Sequence, residues 1–494
     1  MTKTLPTATR NGAHHRAGAW ARPRRRRQRG VALVMVLGAL TILTVMLTEF
    51  QDETSAELGS AVAERDAIRA EYAARSAVNL SRLLIAAEPT IRKSLSFLAP
   101  LMGAQTLPQL PVWELADQLL GAFNDSARQE AFAGLTGVSL EDGKGLAMEG
   151  TSFDVVIVDE DSKLNFNVPA RGTPGGQKQT GDQIMGLIWS PEYDVMFETR
   201  DEEGNYNRRA TVCGAIVDWV DPNQDQYVCE GDDATQSSVA AEDSYYARLR
   251  HPYERKNAAF DSLEELHLVR GVDEEFWRTF VDPDPDDPTK RNVTVWGSGH
   301  ININTANPFT VWNTICTHAV NREQEPFCMD PMQRMTFFSV LQMVKGFTSG
   351  IPMFTSPKAF VRAITGKGSS LAKSLLIDGL GLTPISQVHS ENYLLEKLTA
   401  ESKVFSIYAT GVARTGKRET RVRIHAVVDF RNAPAPGQNR NVADIMEAAG
   451  MPPPATDPKE EKKTEDLLSE LGEDALLDAL QDSAGGNVIY FRLD

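Results

Sequence analysis

Acidic residues are missing from the first 48 positions, cysteine is held to four residues in 494, and none of the common catalytic signatures occurs. There is no Gly-x-Ser-x-Gly elbow and no His-Glu-x-x-His pair. The nearest approach to a phosphate loop, Thr365-Gly366-Lys367-Gly368-Ser369-Ser370, has Val361 where the first glycine of such a loop belongs, and it reads as a linker. These absences remove the usual hydrolase, zinc-protease and nucleotide-binding chemistries, and the chain is not expected to be an enzyme. The four cysteines fall as two sequence-local pairs, Cys213 with Cys229 and Cys316 with Cys328, which suits disulfides in an oxidising compartment. Zinc is the competing reading, but neither pair has the two-to-four-residue spacing of a zinc knuckle and no histidine sits at a complementary distance.

Charge is distributed as unevenly as the acidic residues are. The chain carries −16, and nine Lys and Arg on residues 1–30 leave −25 for the remainder. So acidic a body disfavours nucleic acid. At 54.3 kDa the chain exceeds what one core supports, roughly 250–300 residues, so two or three domains are expected.

The basic run Arg24 to Arg29 is followed by Gly30 and then by Val31 to Leu47, an apolar stretch interrupted only by Gly38, Thr41 and Thr44. No small-x-small cleavage site follows at Thr48-Glu49-Phe50-Gln51, so the stretch reads as a signal anchor rather than a removed secretory signal. It is at the short end for spanning a bilayer, and the arginines hold its N-terminal flank in the cytoplasm. A helical pattern continues from Gln51 to Glu88 and ends before Pro89, with Ala56, Ala63, Ala67, Ala70, Ala74, Ala77 and Leu84 on one stripe. Small residues of this kind let helices of several subunits pack closely. Arg29-Gly30-Val31 resembles the cleavage site of type IV prepilins. That resemblance implies cutting by prepilin peptidase after Gly30, a mature start at Val31 and one long helix. It also implies a glutamate at the fifth mature position, where this chain has Met35.

Five blocks follow in order. Phe153 to Asn167 reads as a β-branched strand, an acidic turn and a second strand start. Next come Ile216 to Asp221, Ala241 to Tyr246, Asn257 with Phe260 to Leu266, and Ile301-Asn302-Ile303-Asn304-Thr305-Ala306. The ordered set resembles the general secretion pathway protein K family of type II secretion systems over most of residues 30–430. The resemblance implies an α+β, pilin-like fold, a long N-terminal helix on a small antiparallel sheet, with a large inserted helical domain. The expected organisation is a basic leader (1–30), the pilin helix (31–90), an α/β part (91–181), the insert (182–396), closing strands (397–432) and a tail (433–494). The closing strands are legible as Val404 to Ala413 and Arg421 to Phe430 around an Arg414 to Arg418 turn. In the tail, a Pro-rich linker precedes a short amphipathic helix over Glu465–Leu480 and a last strand over Asn487–Leu493, which docks back on the sheet or meets a neighbouring subunit.

Leu263 to Phe276 and the stretch from Ile303 look like helix-hairpin-helix units, which elsewhere hold DNA phosphates. Val269 to Glu275 is acidic where a DNA binder needs lysines, so these read as structural turns of a SAM-like bundle. The oxygen-rich loop Asp221-Pro222-Asn223-Gln224-Asp225, with Glu242 and Asp243 beyond it, is either a solvated acidic loop or a calcium site, since calcium takes six to eight hard oxygen ligands. The family resemblance favours calcium. It also implies a single-pass bacterial inner-membrane subunit with a periplasmic body. That subunit would sit at the tip of the pseudopilus beside the I-type and J-type minor pseudopilins, helping to push folded proteins through the outer membrane. A subunit with nothing above it has no use for the assembly glutamate missing at Met35. A minor pilin of a type IV pilus would share the N-terminus but not the large insert. A signal-anchored periplasmic protein of other function would share only the anchor.

Overall fold

The computed structural model describes residues 29–102, 106–124, 129–130, 150–198, 200, 204, 206–229, 238–241, 244–347, 352–367, 373–433 and 485–493. Glu242, Asp243 and the helix expected over Glu465–Leu480 lie outside these residues. The chain divides into two units, Met1–Arg65 and Asp66–Asp494.

In the first unit every described residue belongs to helix α1, which runs Arg29–Ser94. Its apolar run from Val31 to Leu47 is exposed along its length. Polar side chains within the run are satisfied internally. The hydroxyls of Thr41 and Thr44 donate to the carbonyls of Gly38 and Leu40 at 2.8 and 2.7 Å, as hydrocarbon would require. Among the described residues this is the one helix long and apolar enough to cross a membrane.

The second unit begins within α1, which passes through Pro89 to Ser94 where the sequence predicts an end before the proline. One proline forfeits one backbone bond. The added turn is held from outside, because the buried Glu88 carboxylate accepts from Leu110 N at 2.9 Å and pairs with Arg92 at 3.2 Å. Beside this helix stands a four-stranded antiparallel sheet of β1 (Thr151–Asp159), β2 (Val404–Thr415), β3 (Arg418–Asp429) and β4 (Asn487–Leu493), in that order. Alternation puts Phe153, Val155 and Ile157 of β1 and Phe405, Ile407 and Ala409 of β2 on the face that buries Ala74, Ala77, Val78 and Ile85 of α1. Strands β2 and β3 pair from Val404↔Asp429 to Thr415↔Arg418, so the expected five-residue turn shrinks to Gly416-Lys417. Gly416, at φ +62°, supplies the left-handed backbone that so tight a reversal needs. The tail strand β4 pairs with β3 from Asn487↔Asp429 to Leu493↔Ile424, and Arg82 of α1 donates to the carbonyls of Gly485 and Gly486 at its start.

The alanine stripe is divided: Ala70, Ala74 and Ala77 are fully buried against this chain's own sheet, while Ala56 is exposed and Ala63 and Ala67 are half-buried.

Between β1 and β2 the chain builds a second core, helix-rich, drawing residues from Leu164 to Ala400. Helix α2 (Pro174–Ile188) packs on both α3 (Arg209–Val220) and α4 (Pro308–Thr317), and α4 packs on α5 (Pro331–Phe347). Proline opens α2 and α4 where its missing N–H costs nothing, and Thr173 and Asn307 cap them by accepting from Gly176 N and Phe309 N. The stretch expected as the first helix-hairpin-helix forms 3₁₀ turns over Leu263–Leu268 and a single α-turn at Glu274–Phe276.

Candidate functional site

Two polar constellations are built into the second unit. The first grows from the acidic turn at the end of β1. Asp159 caps the 3₁₀ turn Glu160–Ser162 by accepting from Asp161 N, and its Oδ2 accepts from the hydroxyls of Thr305 and Ser402, each at 2.5 Å. Asp161 turns the other way. It accepts from Ser298 N and Oγ at 3.3 Å, from Lys403 N at 2.8 Å and from Val404 N at 3.2 Å. Two asparagines continue the pattern. Asn165 Nδ2 donates to the carbonyls of Trp296 and Gly297, while Asn167 exchanges bonds with both N and O of Phe260 and donates to Val295 O. Nine consecutive residues thus tie together backbone from the 260 region, from 295–305 and from the start of β2.

Burial sets the electrostatics of this turn. It raises Asp159 to about 7, aided by the charge of Asp161 and opposed by the Ser402 and Thr305 hydroxyls. Burial likewise raises Asp161 against its backbone N–H donors. Glu160 and Lys163, both buried, pair at 3.4 Å. Burial lowers the lysine, and on Glu160 burial is outweighed by Lys163 and by hydroxyls of Ser406 and Thr294, which hold the carboxyl below its usual range. Such a network is a clasp that ties distant segments to the acidic turn. Reading the sequence as "strand, acidic turn, strand" missed these roles. The signal was there in Asn165 and Asn167 alternating with the apolar Leu164 and Phe166, and in the acidic Asp159 and Asp161 closing an apolar strand.

The second constellation is the oxygen-rich loop after α3. Asp221 is fully buried, and its Oδ2 accepts from Gln177 Nε2 at 2.7 Å. Its Oδ1 is buried without a hydrogen bond of normal geometry. Asn223 Oδ1 accepts from Asp225 N at 2.7 Å, and Asp218, which the sequence reading did not single out, accepts from Tyr227 N. Arg255 donates to the carbonyls of Asp218 and Asn223 at 3.0 and 3.2 Å. Burial raises the Asp221 carboxyl, opposed by Gln177 and Arg255, and raises Asp218 to about 8, with the Tyr227 N–H opposing. Asp225 pairs with Ala241 in a short antiparallel ladder, which sets it opposite the residue preceding Glu242. Of the five expected ligands, Asp221, Asn223 and Asp225 therefore lie on one loop, and Glu242 and Asp243 are outside the described residues. Among the described residues no three His, Cys, Asp or Glu converge on one point. The donor set suits a hard cation, with one buried oxygen, Asp221 Oδ1, left to offer.

Both cysteine pairs are disulfides, Cys213–Cys229 and Cys316–Cys328. The first joins α3 to the far end of the loop. A loop of that size contributes about 3 kcal/mol in the chain-entropy description. The second joins α4 to the short helix Pro326–Met329. At the N-terminus, Gly30, Val31 and Met35 lie on α1, all exposed.

No curated protein matches this chain. Among solved structures it is similar to a chain in the crystal structure of the GspK-GspI-GspJ complex from the type 2 secretion system of enterotoxigenic Escherichia coli. The identity is 15%, covering 57% of this chain and 76% of that one, with a TM-score of 0.34. Residues 203–281, which hold α3, the oxygen-rich loop and the first disulfide, match the family model of type II secretion system protein K. The match makes that segment similar to the first domain of type II secretion system protein K.

Proposed function

We propose that the protein is the K-type minor pseudopilin of its secretion system, a structural subunit rather than an enzyme. It would be anchored by α1 in the bacterial inner membrane, with its body in the periplasm. What supports this reading is the match of residues 203–281 to the protein K family model, together with a membrane-length apolar helix preceded by a run of arginines. In this role the chain caps the pseudopilus, joins the I-type and J-type subunits and helps start a fibre that pushes folded proteins outward. Met35 suits the tip position. It stands exposed where other pilin-like chains bury a glutamate, and a carboxylate in lipid without a partner subunit would be costly.

Maturation tests the reading directly. Protein recovered from membranes that contain prepilin peptidase is expected to start at Val31, and protein from membranes without it is expected to keep its leader. Mass spectrometry of the N-terminal peptide distinguishes the two. An intact leader in both membranes would reduce the chain to an ordinary signal-anchored protein.

Calcium belongs to the same proposal. Asp221, Asn223 and Asp225, with Glu242 and Asp243, would hold the ion, and calcium would neutralise a loop whose carboxylates burial otherwise penalises. Arg255 already shares this surface, so the ion would add to its charge rather than act alone. Because a ligand that binds only the folded state raises stability, chelation should lower the melting temperature, and added calcium should restore it. An identical melting curve with and without chelator removes the ion from the account.

A further inference from the structure

The start of α5 carries an exposed row of sulfur. Met329, Met332 and Met335 recur at every third position across the junction between the short helix Pro326–Met329 and α5. Their side chains are 43, 67 and 62% exposed, so the thioethers are open to solution. A lone exposed methionine is ordinary, whereas three in so short a run make a soft, polarisable surface.

The junction beneath them is fixed from the inside. Cys328 is bonded to Cys316 of α4, the Phe327 carbonyl accepts from Trp312 Nε1 at 3.1 Å, and the Phe327 ring meets Phe337 of α5 edge to face at 5.2 Å. Asp330 links the two helices, its Oδ1 accepting from Met332 N at 2.8 Å and its carbonyl from Arg334 N at 3.1 Å. Side chains between the methionines are engaged with the body. Gln333 accepts from Thr383 N at 2.8 Å, and Arg334 lies over the Trp312 ring at 5.6 Å. With Phe337, Val340 and Leu341 buried, α5 turns its opposite face, with Met332 and Met335, to solvent. Side chains one helical turn apart have Cβ atoms about 5–6 Å from each other, and the flexible methionine side chain lets two such sulfurs approach one ion. Met329, at the end of the preceding helix, supplies a third.

Donor chemistry selects the ion. No histidine occurs between Pro326 and Phe347, and the single cysteine there, Cys328, is spent in a disulfide. Calcium needs hard oxygens and zinc needs imidazole or thiolate, while thioethers suit copper(I). The Asp330 carboxylate sets a negative charge beside the sulfurs.

We propose that Met329, Met332 and Met335 form a surface site for one copper(I) ion, held through thioether sulfur and sharing no residue with the oxygen-rich loop after α3.

Anaerobic titration of the full-length protein in detergent into the coloured copper(I)–bicinchoninate complex, with ascorbate present, tests the site. The unaltered protein is expected to withdraw one equivalent of copper(I). Met332→Leu and Met335→Leu, which keep bulk and apolarity at exposed positions, should each weaken uptake about tenfold, and the double variant about a hundredfold. Met343→Leu lies on the same exposed face of α5 but about 12 Å further along the helix from Met335, and should change nothing. Excess calcium should not displace the copper, so the result is independent of the calcium site. No withdrawal of copper(I), undiminished uptake by the double variant, an equal loss in Met343→Leu, or displacement by calcium overturns the proposal.

Discussion

Replacing Gly411 by alanine is expected to destabilise the sheet-bearing unit strongly. Gly411 lies on β2 where that strand passes directly over α1. A Cβ built on it would overlap Ala70 O and stand 2.7 Å from Ala74 N. Both obstacles are backbone, so no rotamer change relieves the clash and the helix must lift from the sheet. Lifting it would open the core that buries Ala74, Ala77 and Val78 against Ile407 and Ala409. Overpacking of this kind costs about 3 kcal/mol or more when the neighbours cannot yield. Gly416→Ala serves as the comparison. No atom lies within 4 Å of its Cβ position, so only its positive φ is strained, and the cost should stay near 1 kcal/mol. Urea denaturation followed by circular dichroism measures both, and equal midpoints for the two variants would remove the claim that β2 and α1 touch backbone to backbone.

Asp161→Ala should come next in magnitude, by a different route. Asp161 accepts from Ser298 and from the backbone N–H groups of Lys403 and Val404, at the point where the chain returns from the helix-rich core into the sheet. Truncation leaves these donors without their acceptor, and each buried one costs roughly 1–3 kcal/mol. A total of about 3–5 kcal/mol is expected, with the loss concentrated in the tie between the two cores rather than inside either. Hydrogen exchange read by mass spectrometry should therefore show faster exchange at 295–305 and at 402–404, with α1 and the β2–β3 turn unaffected. Exchange that rises uniformly over the whole chain, or not at all, contradicts a clasp role. Asp161→Asn, which keeps one acceptor oxygen, is expected to fall between the wild type and the alanine variant.

Much of this was legible in the amino acids because it depends on short-range pattern. Apolar Val31–Leu47 behind five arginines predicts a membrane-length helix whatever surrounds it, since length, hydrophobicity and flanking charge are local quantities. β-Branched residues mark β1, and the Arg-Thr-Gly-Lys-Arg turn marks the hairpin of β2 and β3, because strand propensity and a glycine turn require no distant partner. Cysteine spacing likewise anticipates both local disulfides. Other features needed the folded chain. The alanines of α1 read the same whether they meet another subunit or this chain's own Gly411, and only the position of β2 chooses. Pro89 reads as a helix end until Leu110 N and Arg92 are seen holding Glu88. The tail strand could have stayed apart until β3 offered it an edge and Arg82 held its first carbonyls. Asp159, Asp161, Asn165 and Asn167 carry no local mark of the backbone they bind, which lies up to 243 positions away. Local pattern fixes which elements form, because propensity and periodicity act over a few residues. Which faces meet is decided by contacts whose energy is realised only when distant segments are brought together and water is excluded between them.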